Sequence, residues 1–231
     1  MNNYPKVSVL MSVYNNETTI EKSIESLLRQ SYKNIEILIN DDCSSDNSVN
    51  LIKKLQSENS NIFFFSNDEN IGLTKSLNKL IKLSSADIIA RQDADDFSNH
   101  KRIEYQIKCL IENNLDFVSS RATIIGTGKK IPGISFYIPH KQLLKYKNPF
   151  IHGTLMVKKE FLEKVGFYNE NYYYAQDYKL MIDLVLNKAK YKVLNKQLYS
   201  LNMKDNISSK YLKRQNEFAL MAKNSYKKGI A

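Results

Sequence analysis

The sequence predicts an α/β protein: a mostly parallel sheet flanked by helices, a mixed second half, and a basic helical tail. Three observations lead there. Short apolar runs alternate with segments of helical periodicity over the first hundred residues. Polar clusters follow three of the four strand-like runs, where ligands bind on parallel sheets. The bulk numbers are those of a globular chain, with 231 residues of which 42% are hydrophobic and 25% charged. A chain of this size buries roughly 70% of its unfolded surface, so neither a disulfide nor a metal is needed to hold its core. Disordered, collagen-like and disulfide-scaffold classes are excluded.

The elements follow in order. Lys6 to Val13 alternates as a strand, and Glu17 to Gln30 sets Ile20, Ile24, Leu27 and Leu28 on one helical face. Ile35 to Ile39 is a buried strand, and Asp46 caps a helix carrying Val49, Ile52 and Leu55. Ile62 to Phe65 is the third strand, Leu73 to Leu83 a helix, and Ile88 to Ala90 a strand leading into Asp93, Asp95 and Asp96. Beyond it, His100 to Glu112 reads as a helix and Asp116 to Ile125 as a strand. Gly126 to Pro139 reads as a long loop or hairpin. Ile151 to Val157 predicts a strand, Ala175 to Leu186 a helix, and Ser208 to Tyr226 a last helix with Tyr211, Phe218, Ala222 and Tyr226 aligned. The organisation expected is one domain over 1–190, divided into halves at 98, and a basic tail over 191–231.

Charge is concentrated rather than spread. The net charge is +10, yet residues 188–231 carry eleven Lys and Arg against two acids, leaving the first 187 residues at +1. Such a tail suits an anionic membrane surface, at about 1 kcal/mol per Lys or Arg near the lipid, or a solvated surface helix. Nucleic acid is disfavoured as a partner, because a binder of that kind spreads its charge over the domain. No apolar run is long enough to span a bilayer, and no signal peptide is expected at the N-terminus. Cys43 and Cys109 share no metal spacing and read as reduced thiols.

The clusters suggest chemistry. Asp93-Ala94-Asp95-Asp96 gathers carboxylates that repel one another. A hard divalent cation relieves that repulsion, and Mg²⁺ typically takes one or two carboxylates plus substrate phosphates. The bland alternative is a solvated acidic turn. Asp42 is placed to accept a hydrogen bond from a ligand, and Tyr14 either stacks on a flat base or packs. There is no Gly-rich dinucleotide or P-loop motif, no zinc spacing among His100, His140 and His152, and no nucleophile elbow.

Six segments then carry a resemblance. VSVLMSVYN from Val7, INDDCSSD from Ile39, NIGLTKSLN from Asn70, IARQDADDFS from Ile89, PFIHGTLMVK from Pro149 and AQDYKL from Ala175 stand in order. Together they resemble family 2 glycosyltransferases of the GT-A fold, a Rossmann-like sheet, over about residues 5 to 190. The likeness is to the bacterial branch that builds O-antigen, capsule or exopolysaccharide. It implies a nucleotide-sugar-binding half (1–98) and an acceptor half (99–190). The implied activity is inverting transfer from a nucleotide-sugar, UDP by default, to a glycan or lipid-linked acceptor.

The resemblance also implies residue roles. Tyr14 stacks on the base with Ser12 nearby, Asp42 accepts the base N–H, and Asn70 and Gly72 begin the segment beside the nucleotide. Arg91 precedes the metal motif, Asp93 contacts the ribose or the metal, and Asp95 ligates Mn²⁺ or Mg²⁺. Asp96 supports the loop by pairing with Arg102. His152 and Gly153 line the pocket near donor sugar or acceptor, and Asp177 is the general base. Gln176 departs from the family's usual Glu before that base. The location implied is the cytoplasm, peripheral to the inner face of the membrane. Transfer to a polyprenyl phosphate, which needs no base, and a silent nucleotide- or glycan-binding module are the alternatives.

Overall fold

The computed structural model describes residues 4–203 and 211–230. The first half forms β1 (Val7–Val13), α1 (Ile20–Leu28), β2 (Ile35–Asp41), α2 (Ser48–Glu58), β3 (Ile62–Ser66), α3 (Leu73–Leu83) and β4 (Ile88–Arg91). These match the expected elements to within a few residues. β1 and β2 are buried along nearly their whole length, as apolar central strands of a parallel sheet should be. β1 pairs in parallel with β2 and β4, and β2 with β3. Val13 stands opposite Asp41, and Asp41 opposite Ser66, so three strands end on one line and their following loops share one edge.

The second half adds β5 (Phe97–Ser98), α4 (Arg102–Glu112), β6 (Phe117–Ile124), β7 (Lys130–Ile131), α5 (His140–Leu143), β8 (Met156–Lys158), α6 (Lys159–Lys164), α7 (Gln176–Leu186), β9 (Tyr191–Leu201) and α8 (Leu212–Gly229). All join one sheet in the order β3-β2-β1-β4-β8-β6-β9-β5, with β7 beside β6. β8 runs antiparallel to both β4 and β6, which is where the parallel half turns into the mixed half. One apolar core lies under α1, α2 and α4, and includes Ile20, Ile24, Ile52 and Ile107. A second lies under α3, α6, α7 and α8, and includes Leu77, Leu162, Leu184 and Ala222.

Besides the short elements β5, α5 and α6, which the sequence reading does not give, the second half differs from it in the following ways. β9 was not expected, because two residues of β9, Asn195 and Lys196, fall in a register shift against β6 and break its apolar alternation. Its residues belonged to the segment read as a tail. The strand expected over Ile151 to Val157 is split: His152–Thr154 makes a 3₁₀ turn and only Met156–Lys158 is strand. Thr154 fastens the turn, accepting from Ser120 N and donating to Ile151 O. The last helix begins at Leu212; its expected start at Ser208 lies outside the described residues. Tyr226 and Ala222 are buried as its pattern predicted, while Tyr211 is half exposed.

Candidate active site

The loops after β1 and β2 are interlocked. Asn15, at φ 52°, takes the left-handed conformation that Asn tolerates. Its N–H donates to Ser44 Oγ (2.9 Å) and its Oδ1 accepts from Ser45 N (2.8 Å). Glu17 N donates to Asp46 Oδ2 and Asn47 N returns a bond to Glu17, both at 2.9 Å. Asp46 also accepts from Ser48 N (3.0 Å), but the N-cap of α2 is Asn47, one residue after the Asp46 expected there. On this base Tyr14 stands half exposed at the end of β1, one residue beyond Ser12 and Val13.

Asp42 is tied to the segment that leads into α3. It is buried, and Oδ1 accepts from Ile71 N (2.9 Å), Asn67 Nδ2 (2.8 Å) and Ser76 Oγ (3.2 Å). Its Oδ2 accepts from Gly72 N (2.8 Å). Asp42 therefore anchors the segment leading into α3, where Gly72 sits at φ 86°, a conformation that suits glycine alone. Asn70 is exposed in that segment. The neighbouring Asp41 keeps one buried oxygen, Oδ1, without a partner among the described residues. Asp42→Asn should loosen this anchor, costing about 2–3 kcal/mol because charge-assisted bonds to two backbone amides are lost. Faster hydrogen exchange at Ile71 and Gly72 together with a lower Tm is the expected result.

The acidic loop follows β4. Arg91 is buried; its guanidinium donates to Leu10 O (3.2 Å), to the Gln92 carbonyl, and to Asp93 Oδ1 (2.5 Å). Burial and the Asp93 carboxylate push the Asp95 pKa up to about 6. Burial and the carboxylates of Asp93 and Asp95 push Asp96 up to about 8. Asp96 supports the loop, and among the described residues no hydrogen bond or ion pair joins it to Arg102, although its charge acts on that guanidinium. Its Oδ1 accepts from Asn202 N (2.7 Å), while Arg102 donates to Gly153 O (2.7 Å) and leaves Nε and Nη2 without hydrogen-bond partners among the described residues.

β9 holds this loop from below. Tyr199 Oη accepts from Asp93 N (2.9 Å) and hydrogen-bonds the Asp96 carboxylate. The Arg102 guanidinium lies 5.3 Å from the Tyr199 ring centroid. A Cβ on Gly153 would lie 2.4 Å from Tyr199 Oη, so only glycine admits this ring.

His152 and Asp177 complete the rim. His152 Nε2 is bonded to Tyr168 Oη (2.7 Å). Burial, with the Arg91 charge, holds the His152 pKa below its ordinary value, while Asp93 and Asp177 oppose that shift. The same three charges act on Tyr168, whose pKa burial raises above its ordinary value. Asp177 lies in the first turn of α7, and its Oδ2 accepts from Asn148 Nδ2 (2.8 Å). α3 fixes the approach to it: Asn78 bonds Tyr168 through both backbone O and N, and Thr74 donates to Tyr172 O. Of the three adjacent tyrosines, Tyr172 is buried and Tyr174 meets Phe218 and Tyr211, whereas Tyr173 is 68% exposed.

Asn148, Tyr168 and Tyr199 carry no motif of their own, and only their partners reveal them. Among the described residues no three acidic, His or Cys side chains are set to enclose a metal. Asp95 and Asp93 nevertheless fit a hard cation that takes part of its shell from phosphate, since their mutual repulsion raises the Asp95 pKa. A cavity of about 480 Å³ opens elsewhere, beside Tyr168 between α3 and α7, and none of the expected donor residues lines it.

The curled, largely parallel sheet with an acidic loop after β4 defines a protein of the GT-A class. Residues 8–166 match the family described as Glycosyl transferase family 2. The chain belongs to that family. EpsE of Bacillus subtilis, named as a glycosyltransferase, is 36% identical over 167 residues, covering 68% of this chain and 58% of EpsE. The O-antigen biosynthesis glycosyltransferase WbnJ of Escherichia coli is 31% identical over 176 residues, covering 72% of this chain and 68% of WbnJ. The structure of S. aureus TarS 1-349 with UDP-GlcNAc superposes with a TM-score of 0.79 at 20% identity, over 94% of this chain and 65% of that one. The mannosyltransferase PcManGT from Pyrobaculum calidifontis, with GDP-Man and Mn²⁺, gives 0.78 at 17%, over 96% and 64%. The chain thus spans about three fifths of EpsE and two thirds of these structures.

Proposed function

We propose that this chain is an inverting, metal-dependent glycosyltransferase. It moves a sugar from a nucleotide-sugar, UDP-linked by default, to a hydroxyl of a glycan or lipid-linked acceptor in bacterial surface polysaccharide synthesis. The observation that carries this reading is the acidic loop after β4, braced by Arg91 and by Tyr199, in a chain of family 2. Asp177, in the first turn of α7 and held by Asn148, supplies the candidate base. Tyr14 offers an exposed ring for the base, and Asp42, whose Oδ2 takes one bond from Gly72 N, accepts the base N–H. WbnJ, named for O-antigen biosynthesis, and WfgD of Escherichia coli, named as a UDP-Glc:alpha-D-GlcNAc-diphosphoundecaprenol beta-1,3-glucosyltransferase, support the substrate class.

Asp95 and Asp93 would hold Mn²⁺ or Mg²⁺, which when bound stabilises the charge growing on the leaving diphosphate. Arg91 tethers Asp93, and Tyr199 fixes the backbone of the loop. Asp177 accepts the acceptor hydroxyl's proton, oriented by Asn148. Exposed Tyr173 stacks on the acceptor ring. The basic segment after residue 188 rests on an anionic membrane face, placing the enzyme at the inner surface of the cytoplasmic membrane. A screen of UDP-, GDP- and dTDP-sugars by thermal shift, with and without Mn²⁺, tests the donor reading: a true donor raises Tm by mass action, and no shift with any donor overturns it.

The acidic loop also sets a pH signature. Asp95 and Asp96 keep their protons in the folded chain to about pH 6 and 8, against an ordinary 3.8. The folded state then binds more protons than the unfolded one in that window, so stability falls as pH rises through it. Because Mn²⁺ needs ionised Asp95, the rise in Tm on adding it should be larger near pH 8 than near pH 5. Equal shifts at both would argue against ligation by Asp95.

A further inference from the structure

A second basic run lies inside the chain, ahead of the tail in sequence. Between Phe117 and Lys159 there are eight Lys and Arg and no Asp or Glu. Lys129, Lys130, Lys141, Lys145 and Lys147 are exposed, and none of them takes part in an ion pair among the described residues. Large apolar side chains stand among them: Ile134 is 88% exposed, and Tyr137 and Tyr146 are each 72% exposed. Neither the candidate rim nor either core uses them.

The segment is held in this shape. β7 pairs with β6, Arg121 donates to Pro132 O (2.9 Å), and its guanidinium sits 5.0 Å from the Phe136 ring centroid. Phe136 is thereby drawn in while its neighbours Tyr137 and Ile138 are left out. Tyr226 of α8 donates to Lys141 O (3.0 Å), which sets the basic helix against α5. At its far end the segment runs into Asn148, which holds Asp177.

We propose that residues 129–147 dock this protein on an anionic lipid bilayer. The lysines meet phosphate headgroups, and Ile134, Tyr137 and Tyr146 enter the interfacial layer. Lysines alone would suit any polyanion; the exposed apolar groups gain only where there is an apolar phase to enter. The contact lies beside Asp177, so a lipid-linked acceptor would present its hydroxyl from the docked side. That last consequence rests on the transferase reading, whereas docking is measured without turnover, so the two can fail separately.

The test uses the full chain, which has no tryptophan. Tyr137→Trp supplies a single reporter. Its emission should shift to the blue with vesicles of phosphatidylcholine and phosphatidylglycerol, but not with phosphatidylcholine alone, and the shift should weaken in salt. Changing Lys141, Lys145 and Lys147 to Glu should weaken vesicle binding by roughly a hundredfold, and Ile134→Ser by roughly tenfold, with Tm unchanged. Three results overturn the proposal. One is no blue shift with any vesicle. Another is binding that survives the segment variants but is lost on changing Lys223, Lys227 and Lys228 of α8 to Glu. The third is binding to soluble polyglutamate without binding to vesicles.

Discussion

Asp177→Asn should lower the turnover of sugar transfer by about 10²–10⁴-fold, the range expected when a positioned general base is removed. The variant keeps the fold, because an Asn amide at this position can still present its oxygen to Asn148 Nδ2, now 2.8 Å from the carboxylate. Donor affinity should change little, since neither Tyr14 nor the Asp93–Asp96 loop is touched. Steady-state kinetics with calorimetry separates the effects: kcat falls while donor Kd holds. Near-normal turnover would mean that the nucleophile needs no base, as with an acceptor that is already an anion such as polyprenyl phosphate. Gln176, preceding this base, lies at the start of α7 after Ala175 in the left-handed conformation. A charged group there is not required for Asp177 to be held.

Gly153→Ala should be nearly as damaging through a different route. Its new methyl would meet Tyr199 Oη, Cζ and Cε1 at 2.4 to 2.6 Å. The tyrosine is wholly buried, so relief has to come from backbone movement, at a cost of about 1–3 kcal/mol. Displacing Tyr199 also frees Asp93 N and the Asp96 carboxylate. Groups that orient a metal's ligands are worth roughly 10–100-fold in metal affinity, and a loss of that size is expected for Mn²⁺ measured by electron paramagnetic resonance. Tyr199→Phe is the companion variant. It keeps the ring over Arg102 and removes only the hydroxyl, so it should weaken Mn²⁺ binding with a smaller loss in Tm. Unchanged Mn²⁺ affinity in both variants would confine Tyr199 to packing.

Much of the parallel half was legible because its signals are local. Strands such as Val7–Val13 and helices such as Leu73–Leu83 show their burial in their own periodicity. The acidic loop was legible for the same reason, being three carboxylates in four residues. What escaped were roles assigned by distant partners. Asp42 lies within the expected motif, yet its oxygens also hold a segment about thirty residues on, and that contact cannot be seen in the motif itself. Tyr199 sits in a strand whose alternation is broken by a register shift, and its bond to Asp93 spans 106 residues. The pairing of Asp96 with Arg102, six residues apart, was a reasonable local guess. The chain instead gives each a partner from further away, Asn202 and Gly153.

The bracing of the acidic loop by β9 also bears on synthesis of the chain. Domains form from the N-terminus as they leave the ribosome, and β1 to β4 can pair among themselves early. The loop after β4 emerges unbraced, and Tyr199 and Asn202 reach it only about a hundred residues later. A nascent chain arrested before that point would carry the nucleotide-side scaffold without a finished cation seat, so competence to bind Mn²⁺ should be acquired late in translation.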